Sequence, residues 1–194
     1  NGFQIITGDA ARAAAEYAAK TAYKETDAAT YQAMEALVHN LNTMNSRAGA
    51  QVPFSSLNYG TDTSPEGRMA VHNLLRATEA GLGDGETPIF PVQIFKVKEG
   101  VNYNEGDPNY DLFRHALRCS AKRLFPNFSF LDAPFNLQYY KPGDYNTEVA
   151  YMGCRTRVMG NVFDNTKEVT CGRGNLSFTS INLPRIGIEA KGDM

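Results

Sequence analysis

The segment best equipped for chemistry is Tyr151-Met152-Gly153-Cys154-Arg155-Thr156-Arg157. Gly153 permits a tight backbone excursion that can push the next side chain out of a core. Nearby guanidinium groups lower a thiol's pKa and raise its reactivity. The plainer alternative, a buried cysteine acting as a small hydrophobe, is the commoner one on spacing alone. A second segment, Cys171-Gly172-Arg173-Gly174-Asn175-Leu176-Ser177-Phe178-Thr179-Ser180, sets Gly-x-Gly before a hydroxyl-rich run. Such a run can turn backbone N–H groups and hydroxyls toward a phosphate. It lacks the strand–glycine–helix order of dinucleotide-binding and Walker loops, and alone it reads more simply as a turn before an edge strand. A third, Ser46-Arg47-Ala48-Gly49-Ala50-Gln51, has small side chains around a glycine, where backbone can approach a ligand closely; its pattern alone favours a plain connection. His39, His72 and His115 have no partners at ligand spacing and build no nucleophile triad, so they read as surface or core residues. No two of Cys119, Cys154 and Cys171 stand at zinc-ligand spacing, which predicts no metal site within this chain.

These segments need elements to position them. Ala10 to Ala19 is alanine-rich behind Asp9, predicting a helix over about 9–24. Tyr31, Met34, Leu37, Val38, Leu41 and Met44 have helical spacing, predicting a second helix from Asp27 to about Asn45. Ala50 to Leu57 reads as a short strand made irregular by Pro53. Ser64-Pro65-Glu66 is a helix start, and Gly81 and Gly83 end that helix. Ile89 to Val97 reads as a strand containing Pro91, Tyr110 to Leu124 as a helix, and Phe128 to Leu131 as a short strand. Asn136 to Asn146 reads as a polar loop, and Tyr151 to Val158 as a Gly-Cys turn with apolar flanks. Leu176 to Ile181 reads as a last strand closed by Pro184, and the apolar stretch before Lys191 also looks strand-like. The alternation predicts an α/β fold with largely parallel strands. Many of the 17 glycines lie after residue 81, in loops of the kind that carry α/β sites.

Composition narrows the classes. Of 194 residues, 42% are hydrophobic and 21% charged, ordinary for a globular domain and unlike a disordered chain. The 19 basic and 21 acidic residues give a net charge of −2, which argues against non-specific binding to nucleic acid or a membrane surface. No apolar run is long enough for a membrane span. Three cysteines make an odd, sparse set, fitting a reducing cytoplasmic compartment rather than a disulfide framework. The opening Asn1-Gly2-Phe3 lacks a charged or apolar leader, and the ending at Lys191-Gly192-Asp193-Met194 reads as the middle of a longer protein.

Taken together, Asn42-Thr43-Met44-Asn45-Ser46-Arg47-Ala48-Gly49-Ala50-Gln51-Val52-Pro53-Phe54, Met152-Gly153-Cys154-Arg155-Thr156-Arg157 and Gly172-Arg173-Gly174-Asn175-Leu176-Ser177-Phe178-Thr179-Ser180 resemble the anaerobic (class III) ribonucleoside-triphosphate reductases. Gly85-Glu86-Thr87-Pro88-Ile89-Phe90-Pro91 and Phe125-Pro126-Asn127-Phe128-Ser129-Phe130-Leu131-Asp132 fit the same family, so the resemblance runs from about residue 30 to about residue 187. It implies part of a ten-stranded α/β barrel of the glycyl-radical type, with a finger loop over about 151–158 carrying Cys154 into the centre. By resemblance Cys154 becomes the thiyl that takes the ribose 3′-hydrogen, and Asn175 is the active-site asparagine that holds a ribose hydroxyl. Met152 stands beside the cysteine, as in the branch of the family that uses formate as reductant. Ser46, Arg47, Ala48, Gly49 and Gln51 would form the mobile segment between nucleotide effector (ATP/dNTP) and substrate base.

The resemblance also implies a glycyl radical, structural zinc and an N-terminal ATP cone outside residues 1–194. It implies a radical S-adenosylmethionine activase, a homodimer when full length, and no turnover by this piece alone. Cys119 and Cys171 read as structural, and Arg155 and Arg157 as ion-pairing braces of the finger loop. Two other readings remain at this point: another glycyl-radical enzyme, or a nucleotide-binding remnant without turnover.

Overall fold

The computed structural model describes residues 8–45, 49–153, 156–158, 164 and 180–191. Its first element is one helix, α1 (Asp9–Thr43), where two were expected. No glycine or proline interrupts Lys24-Glu25-Thr26-Asp27, and Asp27 does not cap a new helix. Its carboxylate instead accepts from Asn73 Nδ2 at 2.7 Å and Arg76 Nη1 at 3.5 Å. The Asp27 carboxylate is used across helices rather than along the chain. Most of the first half of α1 is exposed, while Tyr31, Met34 and the buried Val38 pack against Leu74 and Ala77.

Beyond α1, strand and helix alternate: β1 (Ser56–Tyr59), α2 (Pro65–Ala80), β2 (Val92–Val97), α3 (Tyr110–Arg123) and β3 (Asn127–Phe130). The strands form a parallel sheet in the order β1-β2-β3, so each helix is the crossover that a parallel pair requires. Helix α2 begins as expected: Ser64 Oγ accepts from Gly67 N at 3.1 Å with Pro65 in the first turn, and the helix stops before Gly81 at φ 90°. Strand β2 starts immediately after Pro91, whose missing N–H would break the ladder. Strand β1 starts later than expected, beyond Pro53, for the same reason.

The alternate residues Phe95 and Val97 of β2 point to the helices. There they join Val71 and Leu75 of α2 and Leu112, Ala116 and Cys119 of α3 in a buried core. Each large apolar side chain buried this way contributes on the order of 2 kcal/mol of transfer free energy. Burial pushes the Cys119 thiol up to about 11, so it stays protonated and packs as a small hydrophobe, as expected of a structural cysteine. Arg123 tethers the end of α2 to the end of α3. Its guanidinium donates to the carbonyls of Glu79, Ala80 and Gly85 at 2.6–2.9 Å.

A two-stranded antiparallel pair follows β3. After the short helix α4 (Pro134–Leu137), strands β4 (Ala150–Met152) and β5 (Thr156–Val158) pair antiparallel with Met152 opposite Thr156. The stretch before Lys191, expected to be strand-like, is the exposed helix α5 (Leu183–Glu189). Asn182 Oδ1 caps it by accepting from Arg185 N at 3.0 Å, and Pro184 stands in its first turn, a combination that starts helices. The expected strand Leu176–Ile181 lies mostly outside the described residues; Ser180 and Ile181 are in neither helix nor strand.

Helices α2 and α3 are also joined by His115, whose Nε2 sits 3.1 Å from Glu79 Oε2, with Arg118 on the same carboxylate and the His72 ring 5.3 Å away. Burial lowers the His115 pKa below 6.5 against the pull of Glu79, with Arg118 and His72 adding to the lowering. The unfolded chain therefore binds the extra proton more readily. This contribution to stability is complete above the ordinary histidine value and is lost as pH falls below it. Thermal unfolding should occur at lower temperature at about pH 5.5 than at about pH 7.5. His115→Gln should shrink that difference, and an equal pH response in the variant would refute the assignment.

Candidate active site

The face of the sheet turned away from the helices is polar where apolar residues are the norm. Parallel sheets are usually covered on both faces and read as continuous apolar runs. Here β1 reads Ser56-Leu57-Asn58-Tyr59 and β3 reads Asn127-Phe128-Ser129-Phe130. Leu57, Tyr59 and Phe128 pack on the helix side. Side chains alternate across a strand, so Ser56, Asn58, Asn127 and Ser129 share the opposite face with Ile94 and Lys96 of β2, through the register Asn58↔Ile94↔Asn127 and Lys96↔Ser129.

The β4–β5 hairpin rests on this polar face, held mainly through its backbone. Asn58 treats Tyr151 as a neighbouring strand would. Tyr151 N donates to Asn58 Oδ1 at 2.9 Å, and Asn58 Nδ2 donates to Tyr151 O at 2.8 Å. Gly153 N donates to Ser56 Oγ at 3.2 Å, and Ser129 Oγ donates to the Tyr151 hydroxyl at 3.1 Å. Gly153 adopts φ 60°, a left-handed conformation that side chains resist. A Cβ there would lie 3.0 Å from the Phe54 ring. Phe54 in turn stacks edge-on with Phe90 at 5.1 Å. The hairpin thus touches the segment that runs from Gln51 into β1. Arg157 of β5 braces the other side, donating to Asn136 Oδ1 at 3.3 Å and sitting 5.0 Å from the Phe135 ring centre.

The chain enters β4 over a buried ion pair. Lys96 Nζ lies 2.7 Å from Glu148 Oε1, and the two side chains are only 13% and 8% exposed. Beside it, at the C-terminal end of β2, is a small cavity of about 50 Å³ lined by Lys98, Leu131, Asn136, Tyr140, Glu148 and Val149. A nucleotide pocket needs roughly 300 Å³ or more, so a nucleotide does not fit there.

Of the site residues expected from sequence, Met152 is half-buried at the end of β4. Gly49, at φ 99°, and Gln51 are exposed in the connection from α1 to β1. Ser46, Arg47, Ala48, Cys154, Arg155, Cys171 and Asn175 lie outside the described residues. Sequence reasoning missed Ser56, Asn58, Lys96, Ser129 and Glu148. The polar–apolar alternation of β1 and β3 was the available signal, because in a parallel sheet it marks a face that meets something polar. Among the described residues, no group of three His, Cys, Asp or Glu side chains could hold a metal ion. No helix among them is long and apolar enough to cross a membrane.

A short antiparallel hairpin is thus seated on the polar face of a parallel sheet. Comparison with known proteins tests the family. Residues 7–194 match the model of the family described as anaerobic ribonucleoside-triphosphate reductase. The anaerobic ribonucleoside-triphosphate reductase of Escherichia coli K12 is 37% identical over 164 residues, 84% of this chain and 22% of that protein. That of Salmonella typhimurium is 36% identical over 173 residues, 89% of this chain and 23% of that protein. That of Enterobacteria phage T4 is 36% identical over 170 residues, 87% of this chain and 27% of that protein. The chain therefore spans about a quarter of the length of these relatives. It belongs to the anaerobic ribonucleoside-triphosphate reductase family.

Proposed function

We propose that the full-length protein reduces ribonucleoside triphosphates to deoxyribonucleoside triphosphates by thiyl-radical chemistry, in an anaerobic, reducing cytoplasm. Residues 1–194 supply part of its ten-stranded catalytic barrel, with residues 151–158 as the finger loop. The observation that carries this reading is the hairpin. Strand β4 and Gly153 are fixed to the polar face of a parallel sheet by hydrogen bonds between their backbone and the Asn58 and Ser56 side chains, and β5 pairs with β4.

Cys154 gives up its thiol hydrogen and takes the 3′-hydrogen of the ribose, which it later returns. A thiol suits both transfers, because its S–H bond is weak enough to be broken by a carbon radical and strong enough to be re-formed from a sugar C–H. Asn175 offers one donor and one acceptor to the ribose hydroxyls as the 2′-hydroxyl leaves as water. Met152, with no titratable group, is compatible with formate as the reductant, which leaves as carbon dioxide. Holding the reacting atoms close and dry is the protein's main contribution. A glycyl radical elsewhere in the full-length protein supplies the unpaired electron, generated by a radical S-adenosylmethionine activase.

Ser46, Arg47, Ala48, Gly49 and Gln51 read the substrate base and respond to bound ATP or dNTP. The zinc site and the homodimer interface belong to the full-length protein. The test is turnover of the activated full-length protein without oxygen. Deoxyribonucleoside triphosphate should form in proportion to formate consumed. Reduction that runs at full rate on a dithiol and ignores formate would reject the formate branch. No reduction of any nucleotide would reject the reading.

A further inference from the structure

We propose that Asn58 and Ser56 are positioning residues that set the location of Cys154 by clamping the backbone on its N-terminal side, an inference that rests on Cys154 being the reacting thiol. Asn58 engages both backbone groups of Tyr151, and Ser56 holds the N–H of Gly153, the residue directly before Cys154. Both sit on β1, a strand locked at Cα register to β2 and anchored behind by Leu57 and Tyr59 in the helix-side cores. An asparagine side chain is the right group for this task. Its amide donates and accepts at one end, copying the pairing edge of a strand. It thereby pairs the hairpin to the face of the sheet, where no ladder can form.

The clamp also has a functional direction. Hydrogen transfer falls off steeply with misplacement, and a shift of about 1 Å can cost about a hundredfold in rate. The bonds from Asn58 and Ser56 fix the height of the hairpin over the sheet at the point where its turn begins. Phe54, two positions before Ser56, presses its ring against Gly153. The connection from residues 49–51 therefore reaches the hairpin through β1 itself, and the same strand holds the backbone of Tyr151 and Gly153.

The experiment uses the activated full-length protein carrying Asn58→Leu or Ser56→Ala. Leucine keeps the branched shape of asparagine and removes both hydrogen bonds; alanine removes one. For Asn58→Leu, kcat should fall about a hundredfold with KM for the nucleotide unchanged. Glycyl radical content should stay at the wild-type level. With 3′-deuterated substrate the isotope effect on kcat should rise, because hydrogen abstraction becomes the slow step. Ser56→Ala should move in the same direction by less.

A merely structural role would lower kcat only in step with radical content and leave the isotope effect alone, and that result would overturn the proposal. So would wild-type kcat in a folded Asn58→Leu protein. If Asn58→Leu does not fold, Ser56→Ala decides: a raised isotope effect supports the clamp, and an unchanged one with wild-type kcat rejects it. Cys154→Ser is measured alongside. Retained reduction there would defeat the reading of Cys154 itself. Lost reduction there, together with an unaffected Asn58→Leu, would defeat the clamp alone.

Discussion

Cys154→Ser should abolish nucleotide reduction by the full-length protein while leaving the glycyl radical signal at its wild-type intensity. The physical reason lies in one bond. An alcohol O–H is too strong for a carbon radical to break, so a serine at this position cannot be converted to a hydrogen-abstracting radical. Serine is close to cysteine in size and shape, so the hairpin should seat as before, through groups on Tyr151 and Gly153 that the substitution does not touch. The effect belongs entirely to the chemical step, and nucleotide binding should be unaffected. Electron paramagnetic resonance of the activated protein, together with a reduction assay, checks both halves. Turnover near the wild-type rate would remove Cys154 from the mechanism. Loss of the radical signal along with turnover would place the residue in folding or assembly instead.

Glu148→Leu should destabilise the full-length protein by about 3–5 kcal/mol, the usual consequence of removing one partner of a buried ion pair. Lys96 and Glu148 are almost enclosed, and their charged atoms are 2.7 Å apart. With Glu148 gone, the Lys96 ammonium would stay on the inner sheet face without a counter-charge, and burying an unpaired charge is among the more expensive changes a fold can suffer. The unfolding temperature should fall with it, by less per kcal/mol than in a small domain because the full-length protein is larger. The double variant Lys96→Met with Glu148→Leu should recover most of the loss, because replacing both charges by apolar groups of similar volume is often neutral. A double variant no more stable than Glu148→Leu alone would show that the damage came from packing. An unchanged melting point in the single variant would mean that water reaches the pair in the full-length protein.

Both predictions concern the same hairpin, from its turn and from its base. Glu148 pairs with β2 just before the chain enters β4, and Asn58 and Ser56 catch the backbone between that point and Cys154. The hairpin is short and could not hold itself in place, since isolated two-stranded hairpins are marginal in water. The sheet face supplies what its own ladder lacks.

Local signals in the sequence determined a good part of this protein. Ser64-Pro65 and Gly81 bound α2 where the capping rules place them, because those residues act on backbone groups within a turn of themselves. The helix at Tyr110–Arg123 and the parallel α/β order were legible for the same local reason. The family was legible from three segments read in order. Their structural meaning could not be read from spacing. Asp27 stood as the start of a second helix and is instead a tertiary acceptor for Asn73 and Arg76 within one long helix. The polar positions of β1 and β3 carried no reading of their own and are the seat of the hairpin. Lys96 and Glu148 are far apart in sequence and only the fold brings their charges together. Capping and periodicity are decided by neighbours in the chain, whereas the partner of a polar side chain is decided by which backbone the fold lays across it.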